Sequence, residues 1–73
     1  MSQKSKIKKE INASRKKIKE LEKKRNRPQA ALVYALINNT TPNSMDVDYF
    51  NNVTAQIEME RARMQELIAE LEN

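Results

Sequence analysis

Residues at alternating spacings of four and three form a repeat in both arms of the chain, and this repeat limits the fold more than any other feature. In the first arm it comprises Ile7, Ile11, Ser14, Ile18, Leu21 and Arg25. In the second arm it comprises Phe50, Val53, Ile57, Glu60, Met64, Leu67 and Leu71. Such spacing places the side chains along one face of a helix, as in the seam of a coiled coil. We therefore predict two amphipathic helices that pack against each other.

The residue types that are missing exclude most other folds and most chemistry. The chain has 73 residues and contains no glycine, cysteine or histidine. A chain this short needs disulfides, a metal, regular helix packing or association with other chains to be stable. Disulfides need cysteine, and most metal sites in proteins need cysteine or histidine, so this chain lacks the residues for both. Phosphate-binding loops and tight hairpins lack the glycine that they usually need. We predict an all-α protein that is not an enzyme and has no cofactor, no metal site and no small-molecule ligand.

The stretch NNTTPNS, residues 38–44, predicts a reversal of the chain. Its side chains compete with the helical backbone for hydrogen bonds, and its proline has no amide hydrogen. We predict a turn at 39–44, followed by a helix over about 45–72 that is capped by either Thr41 or Ser44.

Pro28 interrupts the first arm. A proline inside a helix removes one backbone hydrogen bond and disfavours helical geometry at the preceding residue. We therefore predict one helix over about 4–26 and another over about 28–38, with a kink or break between them. Because a short turn folds two such arms antiparallel, residues 1–73 are predicted to form a single coiled-coil-like helical hairpin.

The two arms carry opposite net charges. Residues 1–28 contain twelve Lys or Arg and three Glu, a formal charge of +9. Residues 46–73 contain two Arg and seven acidic residues, a formal charge of −5. Antiparallel packing lays the acidic helix along the basic one, so the charges are expected to pair within the hairpin, each exposed pair contributing little.

A turn centred on the NNTTPNS stretch also predicts the register of the two arms. In that register Phe50 lies opposite the region of Tyr34 and Ala35, and Arg25 pairs with Glu60 across the seam. Residues 1–10 then have no partner and form a basic overhang, which is expected to seek an anionic partner or another chain.

The run from Ala30 to Ile37 consists of eight consecutive apolar residues. As a helix it is apolar on all sides, whereas one partner helix covers only one side. We therefore predict an exposed patch that a second copy or another protein buries in a multi-helix bundle. The predicted interface comprises Leu32, Val33, Tyr34, Leu36, Ile37, Tyr49 and Phe50. The alternative is a local cluster in which Met45, Val47 and Tyr49 fold over the run.

These features predict a non-enzymatic interaction module that self-associates or docks on a protein partner. It would act as an assembly factor, chaperone subunit, structural component or inhibitory regulator. The alternative is binding of nucleic-acid phosphates through the basic first helix. The basic surface comprises Lys4, Lys6, Lys8, Lys9, Arg15, Lys16, Lys19 and Lys23. No aromatic residue lies among these cations, so nucleic acid is the secondary partner.

A membrane surface is a less favoured partner than nucleic acid, because the apolar face of the first arm has few aliphatic residues. With no recognisable secretory signal or transmembrane segment, we expect a cytoplasmic protein.

The layout of Met45 to Ile68, in which Asp46 and Tyr49 open an amphipathic closing helix, looks loosely like that of the hairpin co-chaperones that hold needle subunits of type III secretion systems. The basic first arm has no motif of that family. The resemblance therefore illustrates the interaction class, and no family is assigned.

Overall fold

The computed structural model describes residues 3–72, which form two helices, α1 (Gln3–Ile37) and α2 (Ser44–Glu72). The helices pack along their length into a hairpin 55 Å long and 17 Å across. The prediction of an all-helical fold with two helices packed against each other is confirmed, and the described residues contain no strand. The predictions that include Met1, Ser2 and Asn73 extend beyond the described residues.

The turn begins where Asn39 takes a left-handed conformation, with a φ of 53°. The amide of Asn39 donates to the carbonyl of Leu36 (3.3 Å), and the amide of Thr40 donates to the carbonyl of Ala35 (2.9 Å). This pair of bonds is the Schellman motif, in which asparagine can take the place of the usual glycine. The motif gives α1 a defined end although the chain contains no glycine.

The second helix is capped by Asn43. Its side-chain oxygen accepts a hydrogen bond from the amide of Met45 (2.8 Å), and its carbonyl accepts one from the amide of Val47 (3.1 Å). The side chain thus satisfies an amide that has no partner within the helix. The prediction that Thr41 or Ser44 caps the helix is wrong, because Ser44 is already the first helical residue and Asn43 holds the cap position.

The first helix continues through Pro28, which cannot donate a hydrogen bond to the carbonyl of Lys24. The two predicted segments, 4–26 and 28–38, are therefore one helix, and the predicted break is wrong. A kink of the helix axis at this residue stays a prediction. The proline ring is fully buried, and α2 is the only other element that the described residues form. Packing of the ring against α2 thus offsets part of the cost of the missing hydrogen bond.

The core is a single layer of side chains between the two helices, and it follows the predicted seam. Aliphatic residues make up two neighbouring clusters, and Met64 packs against both of them. The first cluster consists of Ile18, Leu21, Val53 and Ile57, and the second of Ile7, Ile11 and Leu67. Such a thin layer buries little apolar surface. The free energy of unfolding therefore also depends on the buried residues of the seam that lie outside the two clusters.

A buried polar layer lies within this seam. The hydroxyl of Ser14 donates to the carboxylate of Glu60 (2.7 Å), and both residues are buried. The same carboxylate lies 3.5 Å from Lys17 Nζ and 3.5 Å from Arg63 Nη1. The hydrogen bond from Ser14 lowers the pKa of Glu60; burial opposes this effect, and the two cations add to it. Glu60 is therefore held as a carboxylate inside the seam.

The observed register differs from the predicted one. The guanidinium of Arg25 lies 5.8 Å from the ring centre of Phe50, where Tyr34 was predicted. The predicted pairing of Arg25 with Glu60 is also wrong, because Ser14 occupies that place. The neighbour of Phe50 on α1 is thus ~9 residues nearer the N-terminus than predicted, which corresponds to a shift of ~13 Å along the helix axis. The physical reason we give is that Ser14, the one small polar residue of the first-arm seam, offers the carboxylate both a donor and room.

The displacement changes which end of α1 is left without a partner. Ile7 is buried in one cluster with Leu67, so the basic overhang predicted for residues 1–10 is wrong within the described part. At the other end, Arg27 donates to Asp46 in the first turn of α2 (3.2 Å). The last turns of α1 therefore extend beyond the first residue of α2, and the connecting loop runs back beside them.

Acid should weaken the hairpin through Glu60. Because the folded state lowers the pKa of this carboxyl below its ordinary value of 4.5, its contribution to stability is present above that pH. The contribution is lost as the pH falls through the lower, folded-state pKa. We expect Glu60→Gln to reduce the free energy of unfolding at pH 7 by about 1.5 to 3 kcal/mol, the range for a hydrogen bond to a charged group. Urea unfolding at neutral and acidic pH measures both effects.

The matched control for this experiment is Glu58→Gln, which changes an exposed carboxylate on the same helix. The difference between wild type and Glu60→Gln should shrink at acidic pH, whereas Glu58→Gln should have little effect at either pH. An equal loss for the two variants at pH 7 would contradict the role given to the polar layer.

Pro28→Ala should stabilise the hairpin. An interior proline costs about 3 kcal/mol relative to alanine. The substitution also removes two buried ring carbons, worth about 0.8 kcal/mol each. We therefore expect the free energy of unfolding to rise by ~1 kcal/mol, measured by urea denaturation. A less stable variant would show that packing of the ring outweighs the missing hydrogen bond.

Candidate interaction surface at the elbow

We define the elbow as residues 28–45, the end of the hairpin where the chain reverses. Its sequence, PQAALVYALINNTTPNSM, contains no charged residue, although charged residues make up 33% of the whole chain. Arg27 and Asp46 form an ion pair at its base. The elbow is thus an uncharged tip on a highly charged rod.

Large apolar side chains are exposed at this tip. Tyr34 is 70% exposed, Leu36 77%, Ile37 74% and Met45 77%. The alternative prediction, in which Met45 folds over the run as part of a local cluster, is therefore wrong for these side chains. The last turns of α1 extend beyond the first residue of α2, so α2 does not pack against them. Only the polar loop lies beside these turns, and it leaves their large apolar side chains exposed.

The seam determines which residues of the apolar run are buried. The spacing of three and four that reaches Arg25 continues through Pro28, Leu32 and Ala35. Pro28 and Ala35 are buried, and Leu32 is partly buried. The run is apolar on every side. Its other residues are therefore exposed, apart from Ala31, which is partly buried beside the seam.

The face of α1 opposite the seam carries a second regular row, which we call the outer stripe. It consists of Asn26, Ala30, Val33 and Ile37. These residues line a shallow surface depression together with Gln29 and Tyr34. Their spacing of four, three and four is itself that of a coiled-coil seam. The outer stripe thus has the pattern of a helix-packing face, and α2 lies on the other side of α1.

The structure separates the seven predicted interface residues into two groups. Val33, Tyr34, Leu36 and Ile37 are exposed together at the elbow. Leu32 and Phe50 are partly buried on the inner side, while Tyr49 lies further from the tip, beside Leu21 and Lys24 in the groove between the helices. Sequence reasoning missed Ala30 and Met45 as exposed members of this surface. The uncharged run 28–45 was the signal that could have included them.

The predicted basic residues are all exposed on α1. They comprise Lys4, Lys6, Lys8, Lys9, Arg15, Lys16, Lys19 and Lys23. Continued toward the N-terminus from Asn26, the spacing of the outer stripe reaches Lys23, Lys19 and Lys16. The same face of α1 is therefore basic along the shaft and apolar at the elbow.

No group of three His, Cys, Asp or Glu side chains within residues 3–72 is arranged to hold a metal ion. Neither helix contains, over the same residues, a stretch long and apolar enough to span a bilayer.

Comparisons with known proteins gave no match: no family model fits the chain, and no curated protein or solved structure is significantly similar to it.

Proposed function

We propose that this hairpin is a protein-interaction module and that its elbow is the docking surface. The observation that carries the proposal is the exposure of Tyr34, Leu36 and Ile37 at one uncharged tip. Contiguous apolar patches on monomeric proteins commonly mark sites of association. A surface of this kind suits an assembly factor, chaperone subunit, structural component or inhibitory regulator, and burial of the tip would extend the hairpin into a multi-helix bundle.

The energetics of the elbow favour apolar docking. Burying one large aliphatic or aromatic side chain contributes about 1.5 to 3 kcal/mol. The elbow contains no charged group that would have to be desolvated on binding. The helix holds Tyr34 and Ile37 in a defined arrangement up to the Schellman motif at Asn39, so little backbone entropy is lost on association.

Leu36→Asp should abolish association through the elbow. A carboxylate at this position would have to be desolvated in any apolar contact, so we expect affinity for a partner to fall at least ~10-fold. The matched control is Met59→Asp, which changes an apolar residue that is 73% exposed on the shaft of the hairpin. The measurements are the mass of the purified protein in solution and the proteins that co-purify with the tagged chain from its host.

Circular dichroism melts of the two variants should match, because neither residue is buried. If Leu36→Asp has the same solution mass and the same co-purifying proteins as Met59→Asp, the elbow is not the docking surface.

A second candidate function is binding of nucleic-acid backbones along the shaft. The observation that favours it is the alignment of Lys16, Lys19 and Lys23 on the outer face of α1, away from acidic α2. Such lysines contact phosphates and release counterions without reading sequence. The lack of aromatic residues among them is compatible with electrostatic binding alone.

A salt titration tests this second function. Affinity for single-stranded RNA or DNA should fall steeply with salt, with a slope of about −0.7 per phosphate contacted. The double variant Lys16→Glu/Lys19→Glu should weaken binding, whereas Leu36→Asp should leave it unchanged. Binding that is absent at low salt, or that does not respond to salt, would rule this function out.

A further inference from the structure

We propose that the outer stripe of α1 packs against the outer stripe of a second copy of this chain, with the two α1 helices antiparallel about a twofold axis. The inference rests on the proposed function and names its partner. The two copies would overlap over residues 26–37, elbow against elbow, with their shafts pointing in opposite directions.

The spacing of the outer stripe is self-complementary. In an antiparallel pair centred on residues 26–37, Val33 lies opposite Ala30 of the second copy, and Ile37 lies opposite Asn26. Larger side chains thus face smaller or polar ones, which lets the two rows interdigitate. Tyr34 lies beside this row and can cover its edge, because its side chain is exposed in the single hairpin.

The lysines on the same face select the antiparallel orientation. The outer stripe becomes basic at Lys23 and continues through Lys19 and Lys16. A parallel pair would bring these rows together, and like charges that face each other are destabilising. In the antiparallel pair the rows extend away from each other beyond the overlap. The +9 charge of residues 1–28 therefore restricts the contact to the elbow.

The C-terminal end of α1 provides electrostatic complementarity. Its last turn contains no basic residue, so the negative end of the helix dipole has no cation of its own there. In the antiparallel pair, Lys23 of the second copy falls just beyond Ile37. Each copy thus supplies the cation that the other helix end lacks.

The contact is small, and the dimer should be weak. The overlap of residues 26–37 spans ~18 Å of helix. A standard stable interface buries about 800 Å² on each partner, more than this stripe offers. We therefore expect a concentration-dependent equilibrium between monomer and dimer, with dissociation constants of ~10 to ~100 µM. High salt should not dissociate the dimer, because the contact is mainly apolar and the attraction between Lys23 and the other helix end, which salt screens, is a small part of it.

Sedimentation equilibrium of the full chain, from ~10 µM to ~1 mM in low and high salt, tests this inference. Wild type and Met59→Asp should dimerise, and Val33→Asp should weaken dimerisation at least ~10-fold. A wild-type protein that stays monomeric throughout, or a Val33→Asp variant that dimerises like wild type, would overturn the inference.

Disulfide trapping tests the orientation, since the natural chain has no cysteine. In the antiparallel pair the two copies of residue 33 lie close to the twofold axis, so Val33→Cys should oxidise to a covalent dimer. Lys16→Cys, on the same face of the shaft, should not, because the two copies of residue 16 lie at opposite ends of the antiparallel pair, far outside the overlap. Equal trapping of the two variants would contradict the proposed arrangement.

The outcomes separate this inference from the proposed function. If the wild-type chain is monomeric while Leu36→Asp, but not Met59→Asp, loses its co-purifying proteins, the second-copy inference fails and the elbow remains a docking surface for another protein. If, in addition, Leu36→Asp retains everything that Met59→Asp retains, the two proposals fail together.

Discussion

The hydrogen bond between Ser14 and Glu60 is the constraint on which the rest of this structure depends. A carboxylate in an apolar seam is costly unless it is paired and hydrogen-bonded. Here the small hydroxyl supplies both room and a donor, and Lys17 supplies a nearby charge. Sliding one helix by a heptad would place the same carboxylate against Ile7 or Leu21. The polar layer therefore selects one register among several that would align the apolar residues about equally well.

The selected register determines which surface the hairpin exposes. It brings the end of α2 alongside the N-terminal part of α1, where Ile7 is buried with Leu67. The same choice leaves the last turns of α1 beyond the start of α2, so Leu36 and Ile37 are largely exposed. A polar contact in the middle of the rod thus controls exposure at its tip.

Charge and apolar surface are separated along the molecule. On the shaft, ion pairs such as Lys17 with Glu60 and Arg61 with Glu22 join the two helices. Exposed pairs contribute little stability, and the excess of lysine on α1 gives the shaft a positive charge that repels like-charged surfaces. At the elbow no charge opposes contact. This division is what the proposed docking at the elbow requires, namely contact at one end of the rod and none along its sides.

The sequence by itself determined the helical class, the position of the reversal, the seam residues and the exposed apolar run. These features depend on local spacing and on residue types such as Pro42, and they need no knowledge of the partner helix. Tertiary structure alone decided the register and the continuity of α1 through Pro28. The cap at Asn43 is a local contact with Met45, but several neighbouring polar residues were equally able to form it. Apolar residues repeat every seven positions in both helices, so sliding one helix by seven residues would align them almost equally well. The register therefore depends on the polar contact between Ser14 and Glu60. The physical reason is that a buried carboxylate is tolerated only where a donor lies opposite it, and that position exists only once the two helices are packed together.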